Sequence, residues 1–201
     1  SGRVLFRSGR GSRAMTNDFV FEHRLRSRSQ YEIRVPLSFQ QGANGQPWMR
    51  GFGDLEVALR RAFYASLEHT AIVAAGGAVT LPTGSEADGF GGGVTIWEPF
   101  AMFGKGIGAN GFIQMHGGIE LPTNKQKAVN ESFLRTTVGY TVAQDQGYGR
   151  AWTPMAEVIL AHPFGETTEV DVVPQMQITL SKLQHVMMSV GARVQIGRAH
   201  V

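Results

Sequence analysis

Two carboxylates stand two positions apart at Glu169 and Asp171, a spacing that places both on one face of an extended strand. A carboxylate pair can serve as acid and base in glycoside hydrolysis, but the two groups must then face each other across the substrate. Because neighbours on one strand do not, we expect these carboxylates to pair with arginines of other strands: Arg34, Arg60, Arg135 and Arg193. Crossed charges of this kind would fill a narrow polar lumen or set its selectivity.

Charged residues elsewhere in alternating segments extend this prediction to a set of lumen-lining side chains. The predicted set is Arg34, Asp54, Glu56, Arg60, Glu120, Arg135, Glu157, Glu169, Asp171 and Arg193. Asp54 follows Gly51 and Gly53, and the three residues could hold a cation. We instead expect the glycines to permit positive φ in a turn that Asp54 caps while it faces the lumen.

The sequence carries no catalytic or metal-binding motif that we recognise. Its histidines form neither H-x-x-x-H nor H-E-x-x-H, and the absence of cysteine excludes thiolate catalysis and Cys-ligated zinc. There is no G-x-S-x-G nucleophile elbow, and the glycines of 104–108 lack the Walker spacing of a phosphate-binding loop. We therefore predict that the protein is not an enzyme and that it holds no metal and no cofactor.

Hydrophobic alternation with a period of two predicts the elements that position the charged residues. In 31–39 the odd positions are apolar or aromatic, with Glu32 and Arg34 between them, and 168–181 alternates in the same way. A helix would spread both residue classes around its circumference. Turns rich in glycine, proline and asparagine separate the segments. The predicted strands are 17–26, 30–40, 54–65, 70–80, 94–103, 110–121, 131–142, 151–162, 167–180 and 184–196.

The placement of lysine distinguishes a membrane barrel from a soluble β-sandwich or lipocalin-like barrel. Lysine occurs only at Lys105, Lys125, Lys127 and Lys182, all in predicted turns, whereas the outer face of a soluble sheet would carry many lysines. Charged residues make up only 17% of the 201 residues, which suits an outer face in lipid. Predicted strands of about ten residues or more also match the length that crosses a bilayer with tilt.

Aromatic residues lie towards the ends of several predicted strands, where an interfacial girdle would place them. They are Phe19, Phe21, Tyr31, Phe39, Phe63, Tyr64, Trp97, Phe100, Phe103, Trp152 and Phe164. Together these features predict an all-β fold, an antiparallel up-and-down transmembrane β-barrel of about 10–12 strands.

The segment L-P-T at 81–83 recurs at 121–123, and both copies are expected to end a strand.

A series of short motifs points to a family of such barrels. The chain has Y-E-I-R-V-P-L at 31–37, G-F-G-D-L at 51–55, L-P-T-G at 81–84 and G-F-G-G-G at 89–93. This order resembles the outer-membrane β-barrel family of the MetA-pathway of phenol degradation, over about 30–196. The resemblance implies an envelope barrel that moves hydrophobic or aromatic compounds and has no established catalytic residues. Members of that family end on an aromatic strand, whereas this chain ends Arg198-Ala199-His200-Val201, so a role inside a larger assembly also stays open.

The N-terminal segment differs in composition from the rest of the chain. Residues 1–15 form a Gly/Ser/Arg tract without periodicity, which predicts a flexible basic N-terminal arm, and 16–201 are expected to form the barrel domain. The net charge of +3 arises largely from this arm and predicts no nucleic-acid partner. We expect a bacterial outer membrane location, with a signal peptide not visible and presumed removed.

The predicted function is passive transport through the lumen. The main hypothesis is a channel or transporter for small solutes, including hydrophobic or aromatic ones, with outer-membrane lipid and other envelope proteins as partners. An alternative is a structural scaffold barrel that sheathes a partner such as an electron carrier within a larger envelope complex. A further alternative is a soluble ligand-binding β-barrel.

Overall fold

Fourteen β-strands make up the regular structure in the computed structural model, which describes residues 2–9, 12–41, 47–144, 151–181, 186–191 and 194–199. The strands are β1 (Gly2–Gly9), β2 (Ser12–Arg26), β3 (Ser29–Gln41), β4 (Trp48–Phe52), β5 (Leu55–Ser66), β6 (Ala71–Leu81), β7 (Ile96–Ile107), β8 (Gly111–Pro122), β9 (Glu131–Tyr140), β10 (Ala143–Gln144), β11 (Ala151–Pro163), β12 (Thr168–Ser181), β13 (Val186–Gly191) and β14 (Val194–Ala199). In these ranges no helix is long and apolar enough to cross a membrane.

Most strands that are neighbours in the sequence are also hydrogen-bonded neighbours in the sheet. The order is β1-β2-β3-β5-β6-β7-β8-β9-β11-β12-β13, while β4 pairs with β3, β10 with β11 and β14 with β12. Such an order needs only hairpin connections between antiparallel neighbours. The fold is therefore all-β, antiparallel and up-and-down, which confirms this part of the prediction.

The chain forms two compact units, the first of which comprises Ser1–Arg61, Gly76–Pro99 and Leu121–Val129. Within it, Phe21 lies opposite Ile33, and Ile33 lies opposite Val57. Directly opposed residues share one face of a sheet, so these side chains form an apolar row. Most charged residues of β2, β3 and β5 occupy the alternate positions and therefore the other face.

The second unit comprises Ala62–Ala75, Phe100–Glu120 and Asn130–Val201. One row across β8, β9, β11 and β12 is apolar and consists of Gly117, Leu134, Leu160 and Val170. The next row consists of His116, Arg135, Ile159 and Asp171 and lies on the opposite face. Both units therefore have sheets with one apolar and one polar face, as alternation predicted.

Few apolar side chains are buried in the described part of the chain. The buried hydrophobic residues are Ala78, Val94, Phe133 and Val173, and no side chain with a described environment is completely buried. The exposed large hydrophobic residues include Phe19, Phe21, Leu59, Phe63, Trp97, Phe103, Val138, Val158 and Leu160. Most of the apolar rows therefore face away from the protein.

All ten predicted strands are present, and the described residues also form further strands. The predicted strand 184–196 corresponds to two strands, β13 and β14, which both pair with β12. The predicted basic arm contains β1, whose Gly2–Gly9 pair with Phe19–Ser12 of β2. Backbone hydrogen bonds form this hairpin, so its sequence needs no alternation.

The prediction that every lysine lies in a turn is wrong for Lys105. This residue lies in β7, where odd-numbered positions are exposed, and the turn begins only after Ile107. The neighbouring Gly104 and Gly106 are not turn residues. A Cβ atom on them would lie 3.0 Å from the side chains of Ile72 and Thr70, respectively, so close packing explains these glycines.

The aromatic residues are less regular than an interfacial girdle requires. Trp97 and Trp152 lie at the beginnings of β7 and β11, as predicted. Phe19 and Phe21 instead lie in the interior of β2. Phe100 lies on the polar face, where its ring centroid is 5.0 Å from that of His116.

Candidate functional site

The polar face of β2, β3 and β5 carries a connected group of ion pairs. Arg34 lies between two carboxylates, with Nη2 3.0 Å from Glu32 Oε1 and Nη1 3.4 Å from Glu56 Oε2. Arg60 binds Glu22 Oε1 at 3.4 Å and Glu32 Oε2 at 3.5 Å. Glu32 thus joins both arginines. We call these five residues, Glu22, Glu32, Arg34, Glu56 and Arg60, the ion-pair network.

Strand register explains why the ion-pair network forms. Glu22 lies directly opposite Glu32, and two like charges in that position repel each other. Arg60 offsets this repulsion because it contacts both carboxylates. Arg34 lies directly opposite Glu56 in the β3–β5 pair. The side chain of Glu32 is only 12% exposed, so removal of its arginine partners would leave a largely desolvated carboxylate without compensation.

The polar face of the second unit combines aromatic rings with charge. The His116 ring meets those of Phe100 and Phe133 edge to face, with centroids 5.0 and 5.2 Å away. The guanidinium carbon of Arg135 lies 5.1 Å from the centroid of Phe133, a cation–π contact. Asp171 is 3% exposed and lies in the same cross-strand row as Arg135. We call Phe100, His116, Phe133, Arg135 and Asp171 the aromatic cluster.

Further carboxylates lie along the same face. Glu120 of β8 is directly opposite Glu131 of β9. Glu169 of β12 lies opposite Ala161 of β11. Glu157 accepts a 2.9 Å hydrogen bond from the Gln175 amide. The polar face of this unit is thus rich in acceptors.

Asp54 binds backbone rather than another charged side chain. Its Oδ1 accepts a 2.9 Å hydrogen bond from the Gly84 N–H, and its Oδ2 accepts one of 2.7 Å from the Gly92 N–H. Thr83 Oγ1 accepts from the Leu55 N–H at 2.9 Å. The carboxylate therefore ties both ends of residues 84–93, the 84–93 loop, to the beginning of β5.

The glycines near Asp54 are explained by close contacts. Neither Gly51 nor Gly53 has a positive φ, so that expectation is wrong. A Cβ on Gly51 would overlap the ring of Phe90, and one on Gly53 would lie 2.7 Å from Pro36 Cγ. A Cβ on Gly91 would lie 2.5 Å from Asp54 Oδ1. The three sequence motifs at 51–55, 81–84 and 89–93 thus meet in one tightly packed structure.

The echoed L-P-T segments make equivalent contacts. Thr83 Oγ1 donates to the Gly53 carbonyl at 3.2 Å, and Thr123 Oγ1 donates to the Thr95 carbonyl at 3.2 Å. Each threonine ties the end of a strand to a neighbouring backbone. The internal repeat is therefore a repeated strand-end structure.

The structure brings the predicted site residues together only in part. Arg34, Glu56 and Arg60 belong to the ion-pair network, and Arg135 and Asp171 belong to the aromatic cluster. Glu120, Glu157 and Glu169 lie on the same polar face as this cluster, whereas Asp54 binds the 84–93 loop. Arg193 lies outside the described residues.

Sequence reasoning missed Glu22 and Glu32 as members of the network. Glu32 occupies a polar position of the alternating segment 31–39, so the pattern placed it on the correct face. Glu22 is two positions from Val20 on the same face, and only the register with β3 brings it to Glu32. The aromatic contacts of His116 involve side chains from three different strands, and no local sequence pattern indicates them.

No group of three or more His, Cys, Asp or Glu side chains in the described ranges could hold a metal ion. A scan against protein-family models finds no match, and a search of curated proteins finds no similar sequence.

Proposed function

We propose that this chain is an outer-membrane β-barrel and that its polar face lines a passive channel for small solutes. The observation that carries the proposal is the exposure of its large apolar side chains. Phe21 is 57% exposed and Leu59 54% exposed, although both lie in the interior of paired strands. Lipid contact would remove these surfaces from water.

Many large apolar side chains are exposed in this way. Burying one large apolar side chain is worth about 1.5–3 kcal/mol, and an exposed apolar patch usually marks an interaction surface. Here the exposed residues occur on β2, β4, β5, β6, β7, β8, β9 and β11, which are eight of the fourteen strands. A hydrocarbon environment would stabilise all of them at once.

The charged residues of the polar face are suited to line a water-filled channel. The ion-pair network and the aromatic cluster place arginine and carboxylate groups side by side on the face opposite the apolar rows. Lumen-facing and lipid-facing residues alternate in this way in membrane barrels. The resemblance at 51–55 and 81–84 favours hydrophobic or aromatic solutes as cargo.

A soluble ligand-binding barrel is the weaker alternative. Such a barrel would bury its apolar face around the ligand and present charge to water. In this protein the apolar side chains of Phe21 and Leu59 are exposed, whereas the charged side chain of Glu32 on the other face is only 12% exposed.

Planar-bilayer recordings test the channel directly. Purified protein added to a lipid bilayer is expected to produce stepwise, ohmic increases in current. A barrel that inserts into lipid without any conductance would support the scaffold alternative. A protein that stays monodisperse without detergent and does not enter vesicles would contradict the membrane proposal.

A further inference from the structure

We propose that the 84–93 loop is a fixed constriction that folds onto the polar face of β3 and β4 and narrows the solute passage. This inference rests on the proposed channel function. It follows from the side of the sheet on which the loop lies, from the bonds that hold it there and from its position next to the ion-pair network.

Strand register shows which face the loop covers. Gly51 of β4 lies directly opposite Ser38 of β3. Ser38 is an even-numbered residue of β3, as are Glu32 and Arg34, so it shares their polar face. The Phe90 ring lies against Gly51 at the position where a Cβ would be. The loop is therefore packed onto the polar face.

Several contacts hold the loop in this position. Asp54 accepts hydrogen bonds from Gly84 and Gly92 at its two ends. Between them, Gln40 Nε2 donates to the Gly89 carbonyl at 3.0 Å, and Gln40 is another even-numbered residue of β3. Lys127 Nζ lies 2.5 Å from Glu86 Oε2 and ties the loop to the segment between β8 and β9.

The 84–93 loop and the ion-pair network lie on the same face of β3, at different positions along the strand. Phe90 is adjacent to Gly51, opposite Ser38, whereas Arg34 is four residues earlier in the same strand. A strand rises about 3.3 Å per residue, so the loop and the network are about 13 Å apart along one face. A solute that moves along this face must pass both. The loop would set the size limit, and the network would set the charge preference.

The test combines loop-releasing variants with two measurements. Asp54→Asn removes an acceptor from one end of the loop, and Phe90→Ala removes the ring that packs on Gly51. Asp88→Asn is the matched control because it makes the same charge change, while the described Asp88 contacts are with Ser85 of the same loop. Correct folding of each variant is checked by heat-dependent migration in gels.

The first measurement needs no channel activity. Since the chain has no cysteine, Ser38→Cys introduces a unique thiol beneath the loop, and Ala58→Cys introduces one elsewhere on the polar face. We expect Asp54→Asn and Phe90→Ala to raise the maleimide labelling rate of position 38 several-fold and leave position 58 unchanged. Unchanged labelling at position 38 in folded variants would overturn the proposal.

The second measurement is single-channel conductance. We expect it to increase about twofold or more in Asp54→Asn and Phe90→Ala, and to stay at the unmodified value in Asp88→Asn. Faster labelling with unchanged conductance in a working channel would overturn the constriction role. Faster labelling with no conductance in any protein would overturn the channel itself, and the constriction with it, while the covering of Ser38 would stand.

Discussion

Arg60 and Arg61 are neighbours in β5 whose side chains lie on opposite faces of the sheet. Arg60 contacts Glu22 and Glu32, and its side chain is 28% exposed. Arg61 lies on the apolar face opposite Ser29 and is exposed. Substitution of each arginine in turn therefore distinguishes the effect of the ion pairs on the polar face from a general effect of arginine in this strand.

We predict that Arg60→Met lowers the free energy of unfolding by about 1–3 kcal/mol, because it leaves two opposed carboxylates without their shared cation. Arg61→Met is expected to change it by less than about 0.5 kcal/mol or to increase it. Denaturant unfolding in detergent micelles measures both values. Equal effects of the two substitutions would contradict the importance assigned to the ion-pair network.

Gly53 and Gly77 form a second pair of contrasting residues. A Cβ on Gly53 would lie 2.7 Å from Pro36 Cγ, whereas the nearest atom to a Cβ on Gly77 would be the Glu98 carbonyl oxygen at 3.8 Å. We predict that Gly53→Ala destabilises the protein by about 1–3 kcal/mol through overpacking. Gly77→Ala is expected to be neutral or slightly stabilising. Thermal unfolding of both variants measures the difference, and a harmless Gly53→Ala would show that Pro36 can move.

Strand β5 offers a test of what its apolar face contacts. Leu59 lies in the middle of this strand and is exposed, while Leu67 lies in the following turn and is 97% exposed. In water, arginine at either position would cost little. In a bilayer, arginine on the lipid-facing side of a strand costs about 2–4 kcal/mol near the midplane.

We therefore predict that Leu59→Arg weakens folding into lipid vesicles by about 2–4 kcal/mol and that Leu67→Arg has little effect. The measurement is urea-dependent folding in the presence of vesicles, followed by tryptophan fluorescence. If Leu59→Arg matched Leu67→Arg, the exposed face of β5 would not be in contact with hydrocarbon.

The whole sheet determines how the protein behaves in solution. Its exposed apolar residues are distributed over many strands, so no single substitution would make the surface polar. We predict that the protein needs detergent to remain monodisperse and that it floats with vesicles in a density gradient after an alkaline wash. Release into the soluble fraction by the alkaline wash would contradict direct lipid contact.

The alternating sequence determined the strands and the division of each strand into two faces. Alternation is a local property, because successive side chains of any extended segment point in opposite directions. For this reason the ten predicted strands are present, and Glu32, Arg34 and Glu56 lie on the polar face. Gly51 and Gly53 stand out in the sequence as part of a motif, but they lack the positive φ expected for them. Close packing against Phe90 and Pro36 explains these glycines instead.

Tertiary structure alone decided which residues meet. The partners of Arg60, the contact of Phe90 with Gly51 and the two hydrogen bonds of Asp54 all depend on strand register and on the path of the 84–93 loop. A shift of one residue in register would move every side chain of a strand to the opposite face relative to its neighbour. Register is specified by many packed contacts between distant segments, which local alternation does not encode.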